Sequence, residues 1–113
     1  MQEIKPRIVK RYKRRDGREP FAEWLGAIED KNILKKVLAR IERVKLGYLG
    51  EHRFLEGDLF ELKFESGIRI YCANLEDIVV VLLCAGGKNT KGDQSRDIAR
   101  AQRYWADFME QES

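Results

Sequence analysis

Residues 61–97, ELKFESGIRIYCANLEDIVVVLLCAGGKNTKGDQSRD, decide the fold. The alternation and the turn residues predict a three-stranded antiparallel meander. If Glu65-Ser66-Gly67 is a three-residue hairpin loop with Gly67 in the left-handed position, Phe64 faces Ile68, Lys63 faces Arg69, Leu62 faces Ile70 and Glu61 faces Tyr71. That register leaves one apolar face and one face that gathers Glu61, Lys63, Arg69 and Tyr71. A slip of one residue would set Lys63 opposite Ile70 and mix charge into the apolar layer, so pattern and turn agree on one pairing. Lys63 beside Arg69 is a like-charge pair that needs Glu61 or an external anion to offset it. Two fixed cations on a sheet suit a phosphodiester, although a solvated polar sheet face is the plainer alternative.

Outward from this core, residues 4–12 predict an extended edge strand with Pro6 near its start. Pro20 suits the first turn of a helix carrying Phe21, Trp24, Leu25 and Ile28 on one stripe. Asp30 or Asn32 caps a second helix that buries Leu34, Val37, Leu38, Ile41 and Val44 and stops at Gly47, giving a helical hairpin. Residues 47–57, with His52 and Arg53, form a loop. Strands follow over 58–64, 68–74 and 78–85, the last apolar enough to be buried on both faces. A final helix begins near Asp93 or Ser95 and buries Ile98, Ala101, Trp105 and Phe108. The expected class is α+β, in the order β-α-α-β-β-β-α: an antiparallel sheet against a helical hairpin, with a C-terminal helix, as one domain over 1–113.

The composition, 43% hydrophobic and 36% charged, describes a soluble, charge-rich globule. The longest apolar run, 78–85, is too short to cross a bilayer, and the basic N-terminus lacks the apolar segment of a secretory signal, which points to the cytoplasm and to no membrane partner. Residues 1–18 hold eight cations against Glu3 and Asp16, a balance of +6 that leaves −3 for the rest of a chain of net charge +3. This basic arm suggests an anionic partner such as nucleic acid, or else an edge strand blunted against aggregation. Cys72 pairs near Val79 or Val80 in this scheme, too far from Cys84 for a disulfide, and the chain has no zinc spacing. Residues 86–92, GGKNTKG, fail the Walker spacing, so NTP hydrolysis is not indicated, while backbone amides and two lysines there could hold a phosphate.

The motifs PFAEWL, ELK, GIRIY, LLCAGG, DI and ARAQRYW, in that order along nearly the whole chain, resemble the HigB-like branch of the RelE/ParE toxin superfamily, the addiction module killer group. The resemblance implies a small α+β fold whose sheet cradles mRNA in the ribosomal A site. It implies endoribonuclease activity that inhibits translation, with no metal or other cofactor, by attack of a ribose 2′-OH on the adjacent phosphate. The partners implied are the ribosome, mRNA and a cognate antitoxin, a helix-turn-helix protein. Carried over residue by residue, Lys63 holds the basic place in the ELK strand, Arg69 that in GIRIY, and Tyr71 completes the motif. The superfamily's loop lysine is Lys88 counted from the glycines, or Lys91 counted back from Gln94; the acidic residue usual after the glycines is absent. Arg53 of the 47–57 loop and Lys10, Arg11 and Lys13 of the basic arm are the further RNA-binding candidates. His52, the lone histidine, matches no motif, and Glu61 is an alternative proton acceptor. A gyrase inhibitor of the ParE kind and a catalytically inert antitoxin-binding relic are the alternatives.

Overall fold

The computed structural model describes residues 5–87 and 91–113, the side chain of Lys91 excepted. Along the chain run β1 (Ile8–Arg11), α1 (Pro20–Gly26), α2 (Lys31–Leu46), β2 (His52–Phe54), β3 (Leu59–Lys63), β4 (Arg69–Leu75), β5 (Val79–Gly86) and α3 (Lys91–Glu112). The class is α+β, with a five-stranded sheet in the order β1-β5-β4-β3-β2.

Local chemistry accounts for most boundaries. Pro20 opens α1, where a missing N–H costs nothing. The Asp30 carboxylate accepts from the N–H groups of Asn32 and Ile33 at 2.8 and 3.3 Å, capping α2. Gly47 ends that helix in the left-handed region at φ +108°, where a side chain would be strained. In the β3–β4 hairpin Gly67 has φ +96°, and Lys63 pairs with Arg69, Leu62 with Ile70 and Glu61 with Tyr71, as the turn residues predict.

Three features depart from the expected outline. First, β1 runs parallel to β5, from Ile8 opposite Val79 to Arg11 opposite Leu82, so the sheet is mixed and not wholly antiparallel. The helical hairpin between β1 and the meander carries the chain back across the sheet, which frees β1 from the direction a tight turn would impose. Second, part of the 47–57 loop is a strand: Arg53 pairs with Glu61 and Phe54 with Phe60, closed by the Leu55 N–H donating to the Leu59 carbonyl at 2.9 Å. Third, β4 continues to Leu75, the turn lies at Glu76–Ile78 with Glu76 at φ +58°, and a bulge follows Tyr71. Cys72 therefore pairs with Leu82 and Cys84 with Tyr71. The two cysteines fall in separate cores and are free thiols.

Both faces of the sheet are covered. On one, Phe60, Leu62, Ile70, Cys72, Val80 and Leu82 pack against Phe21 of α1 and Val37 and Val44 of α2. On the other, Tyr71, Ala73, Val81, Leu83 and Cys84 pack beneath Ala101 and Phe108 of α3, with Trp105 at the margin. The far end of α3 is latched to the chain after β1. Asp107 accepts from the Tyr12 hydroxyl at 2.5 Å, from Arg15 Nε at 2.9 Å and from Gln111 at 2.7 Å, and Tyr12 stacks on Tyr104. This latch fixes where the first turns of α3 cross the β4–β5 end.

Candidate functional site

The site begins with a glutamate that the alternation puts on a polar face and the fold buries completely. Glu61 is 0% exposed. One of its oxygens, Oε1, accepts from Arg69 Nη1 at 3.3 Å and forms an ion pair with Arg53 Nε at 2.8 Å. The three residues come from adjacent strands: β2 sets Arg53 opposite Glu61, and Arg69 lies diagonally from Glu61 on β4. A buried carboxylate is tolerated only when its charge is matched, and two guanidiniums match it. Its second oxygen, Oε2, has no hydrogen-bond partner among the described residues.

Gln94, in the first turns of α3, closes over Arg69. With its amide oxygen turned toward the guanidinium, Gln94 accepts from Arg69. Further along the helix, Arg100 Nη2 donates to the Ala85 carbonyl and to Asp97, both at 3.2 Å. Arg100 also lies beside Cys84, whose thiol burial pushes up to about 11 against the pull of that cation. Tyr71 lies under this cover, 1% exposed, and its hydroxyl has no partner among the described residues. Burial, and then the negative charges of Asp97 and Glu61, raise its pKa to about 12, so the phenol stays neutral.

The predicted residues divide accordingly. Arg69 is at the centre of the cluster, and Arg53 joins it. Lys63 stands opposite Arg69 and reaches Glu51 at 3.8 Å, so each member of the like-charge pair has its own carboxylate. Tyr71 shares the face but is buried beneath α3, so its ring is not displayed on the surface as the expected role would require. Glu61 is likewise no exposed proton acceptor. Lys88 lies outside the described residues, and so does the side chain of Lys91. Lys10, Arg11 and Lys13 belong to β1 and the segment after it, at the edge of the sheet opposite β2, and do not meet Arg53. Arg11 is there paired with Glu19 at 3.2 Å. His52 pairs in register with Leu62, which turns it to the helical-hairpin face; its Nδ1 is 2.7 Å from the Gly50 carbonyl and its ring meets Phe54 edge-on.

Gln94 and Arg100 are the members that pattern analysis passes over. One signal was available for Gln94: it stands four residues before Ile98 and so extends the apolar stripe of α3 with a polar side chain, which must then face the sheet. Chemically, the cluster is a pair of guanidiniums aimed by one buried anion, with a lysine on the next cross-strand position. Arg53, half exposed, has N–H groups left to offer an incoming anion after Glu61 takes its share. A planar fork of this kind binds phosphate oxygens in pairs.

No protein-family model matches the chain. Over 84 residues, 73% of this chain and 82% of its counterpart, it is 33% identical to an uncharacterized protein of Haemophilus influenzae (strain ATCC 51907 / DSM 11121 / KW20 / Rd).

Proposed function

We propose that this chain, which belongs to the same family as the Haemophilus influenzae protein, is the toxin of a type II toxin–antitoxin pair and a ribosome-dependent mRNA endonuclease of RelE/ParE-like, HigB-like topology. The observation that carries this reading is the convergence of Arg53 and Arg69 on the buried Glu61, with Lys63 beside them. In the reaction a ribose 2′-oxygen bonds to the adjacent phosphorus while the bond from phosphorus to the 5′-oxygen breaks, leaving a 2′,3′-cyclic phosphate and a 5′-OH. The proton of the 2′-OH goes to a base, and another is delivered to the leaving oxygen. Negative charge accumulates on the phosphorane oxygens between these events. Guanidiniums already held in place stabilise that charge without reorganising.

Glu61 fits the role of an aiming group better than that of a base, because it is wholly buried and one of its oxygens is shared by two arginines. Gln94 holds Arg69 from the other side. An antitoxin of helix-turn-helix type would silence the protein in the cytoplasm by covering this surface. Controlled expression without the antitoxin, followed by labelled amino-acid and thymidine uptake, tests the assignment. Amino-acid incorporation should stop first, with mRNA cleaved. Early failure of DNA synthesis over intact mRNA would instead support gyrase inhibition.

A further inference from the structure

Positive charge without an ion pair gathers on α2 more than in the basic run 10–18, where among the described residues it is confined to Lys10 and Lys13. In that run Arg11, Arg14, Arg15 and Arg18 are each tied to a carboxylate, respectively Glu19, Asp16, Asp107 and Glu23. On α2 the balance is reversed. Among the described residues Lys31, Lys35, Lys36 and Arg43 have no ion pair, and only Lys45 finds one, with Glu42. We propose that the flank of α2 formed by Lys36, Arg40 and Arg43, with the cleft it borders, binds the sugar-phosphate backbone of folded RNA as a second contact. This rests on the proposed function only in taking RNA as the partner.

Lys36, Arg40 and Arg43 are spaced four and three apart, hence on one side of the helix, and Lys36 and Arg43 are about 10 Å apart along its axis. Ala39 between them keeps the surface low enough for a backbone to approach. The cleft has a volume of about 480 Å³, and Phe64, Glu65 and Ser66 form its opposite wall. Lys36, Arg40 and Arg43 line it with Glu51 and Glu65, while Lys63, whose side chain belongs to the opposite sheet face, gives Arg40 its carbonyl.

Arg40 stiffens the cleft. Its guanidinium donates to the carbonyls of Leu49, Glu51 and Lys63 at 3.4, 3.2 and 2.8 Å and sits 4.4 Å over the Phe64 ring. This contact covers one face of the aromatic ring, so an unpaired base has poor access for stacking, and single-stranded RNA loses its usual anchor. Ile33 and Phe64 are already packed on the core and Ile68 is buried, which leaves an amphipathic protein helix few apolar anchors. A double-helical backbone needs neither, only spaced cations. Because α2 covers the sheet face opposite the Arg53–Glu61–Arg69 cluster, the two contacts would engage different segments of RNA.

Fluorescence anisotropy of the full chain with a labelled RNA hairpin, titrated across salt, tests this directly. The Lys36→Glu, Arg43→Glu double variant should bind at least tenfold more weakly at about 0.1 M salt. Its log–log salt slope should be shallower by about 2, as expected for two lost phosphate contacts. Lys10→Glu with Lys13→Glu, an equal charge change at the β1 edge, should weaken binding less than threefold. Thermal melting confirms that these exposed variants are folded. No hairpin binding by the wild type, an unchanged slope in the α2 variant, or an equal loss in the β1-edge variant would overturn the proposal. The assay contains no cleavage step: wild-type binding through α2 without ribosomal mRNA cleavage would overturn the nuclease assignment and leave this surface standing.

Discussion

Replacing Glu61 with Gln keeps the volume and one acceptor oxygen while deleting the charge that two arginines share. The effect should fall unequally on those arginines. By distance alone Arg53, at 2.8 Å, would be the stronger partner, and Arg69, at 3.3 Å, the weaker. Exposure reverses the order: the Arg53 side chain is 52% exposed and that of Arg69 25%. With an effective dielectric of about 40 for the half-exposed pair and about 20 for the sheltered one, the gross attractions are about 3 and about 5 kcal/mol. Net couplings are smaller because both ions lose hydration, and contacting pairs measure about 0.5–3 kcal/mol in double-mutant cycles. Cycles of Glu61→Gln with Arg69→Met and with Arg53→Met, by urea denaturation, should give about 2 kcal/mol for Arg69 and about 1 kcal/mol for Arg53. Glu61→Gln alone should destabilise by about 2 kcal/mol, below the usual 3–5 kcal/mol for stripping a buried pair, since Arg53 can turn to water and Arg69 keeps Gln94. A coupling to Arg53 equal to or above that to Arg69 would refute the weighting of burial over distance.

Asp107→Ala should lower the melting temperature by an amount that depends on pH. Hydrogen bonds from Tyr12 and then Arg15 hold the Asp107 carboxyl below its usual range, so its contribution is complete above about pH 4 and fades as pH falls through the lowered folded value. The gap between wild-type and variant melting curves should stay constant from neutral pH to about 5 and close below about 4; a gap that widens in acid contradicts this. Tyr71→Phe removes a buried hydroxyl without a partner among the described residues and should be neutral or stabilising by up to about 1 kcal/mol, with cleavage changed less than threefold. A loss above 1 kcal/mol in urea titration would show that the hydroxyl is bonded.

Much of the fold was written locally. The Gly67 hairpin fixed the β3–β4 register, Asp30 and Gly47 marked both ends of α2, and the apolar stripe placed α3. The parallel pairing of β1 with β5 was not legible, because its partners are about seventy residues apart and no turn between them sets direction. Nor was β2, whose three residues hold only one apolar side chain among polar neighbours, too short a run for alternation to register. That omission hid the site's organisation. Without β2 there was no reason to bring Arg53 over Glu61, and a glutamate alternating with core residues reads as solvent-facing. The ion pairs of the basic run were hidden for a related reason: sequence counts charges, whereas Glu19 and Asp107 meet Arg11 and Arg15 only after folding.

The central claim is that guanidiniums aimed by Glu61 stabilise a phosphorane. Primer extension on mRNA in programmed 70S ribosomes, with wild type, Arg69→Ala and Glu61→Gln side by side and a melting curve for each, tests it most directly. Arg69→Ala should cut at least about a hundredfold more slowly while remaining folded, the loss expected for one preorganised charge-stabilising donor. Glu61→Gln should fall between Arg69→Ala and wild type, because its arginines remain but are no longer held. Wild-type cleavage by a folded Arg69→Ala variant would contradict the claim and remove this cluster from the chemistry.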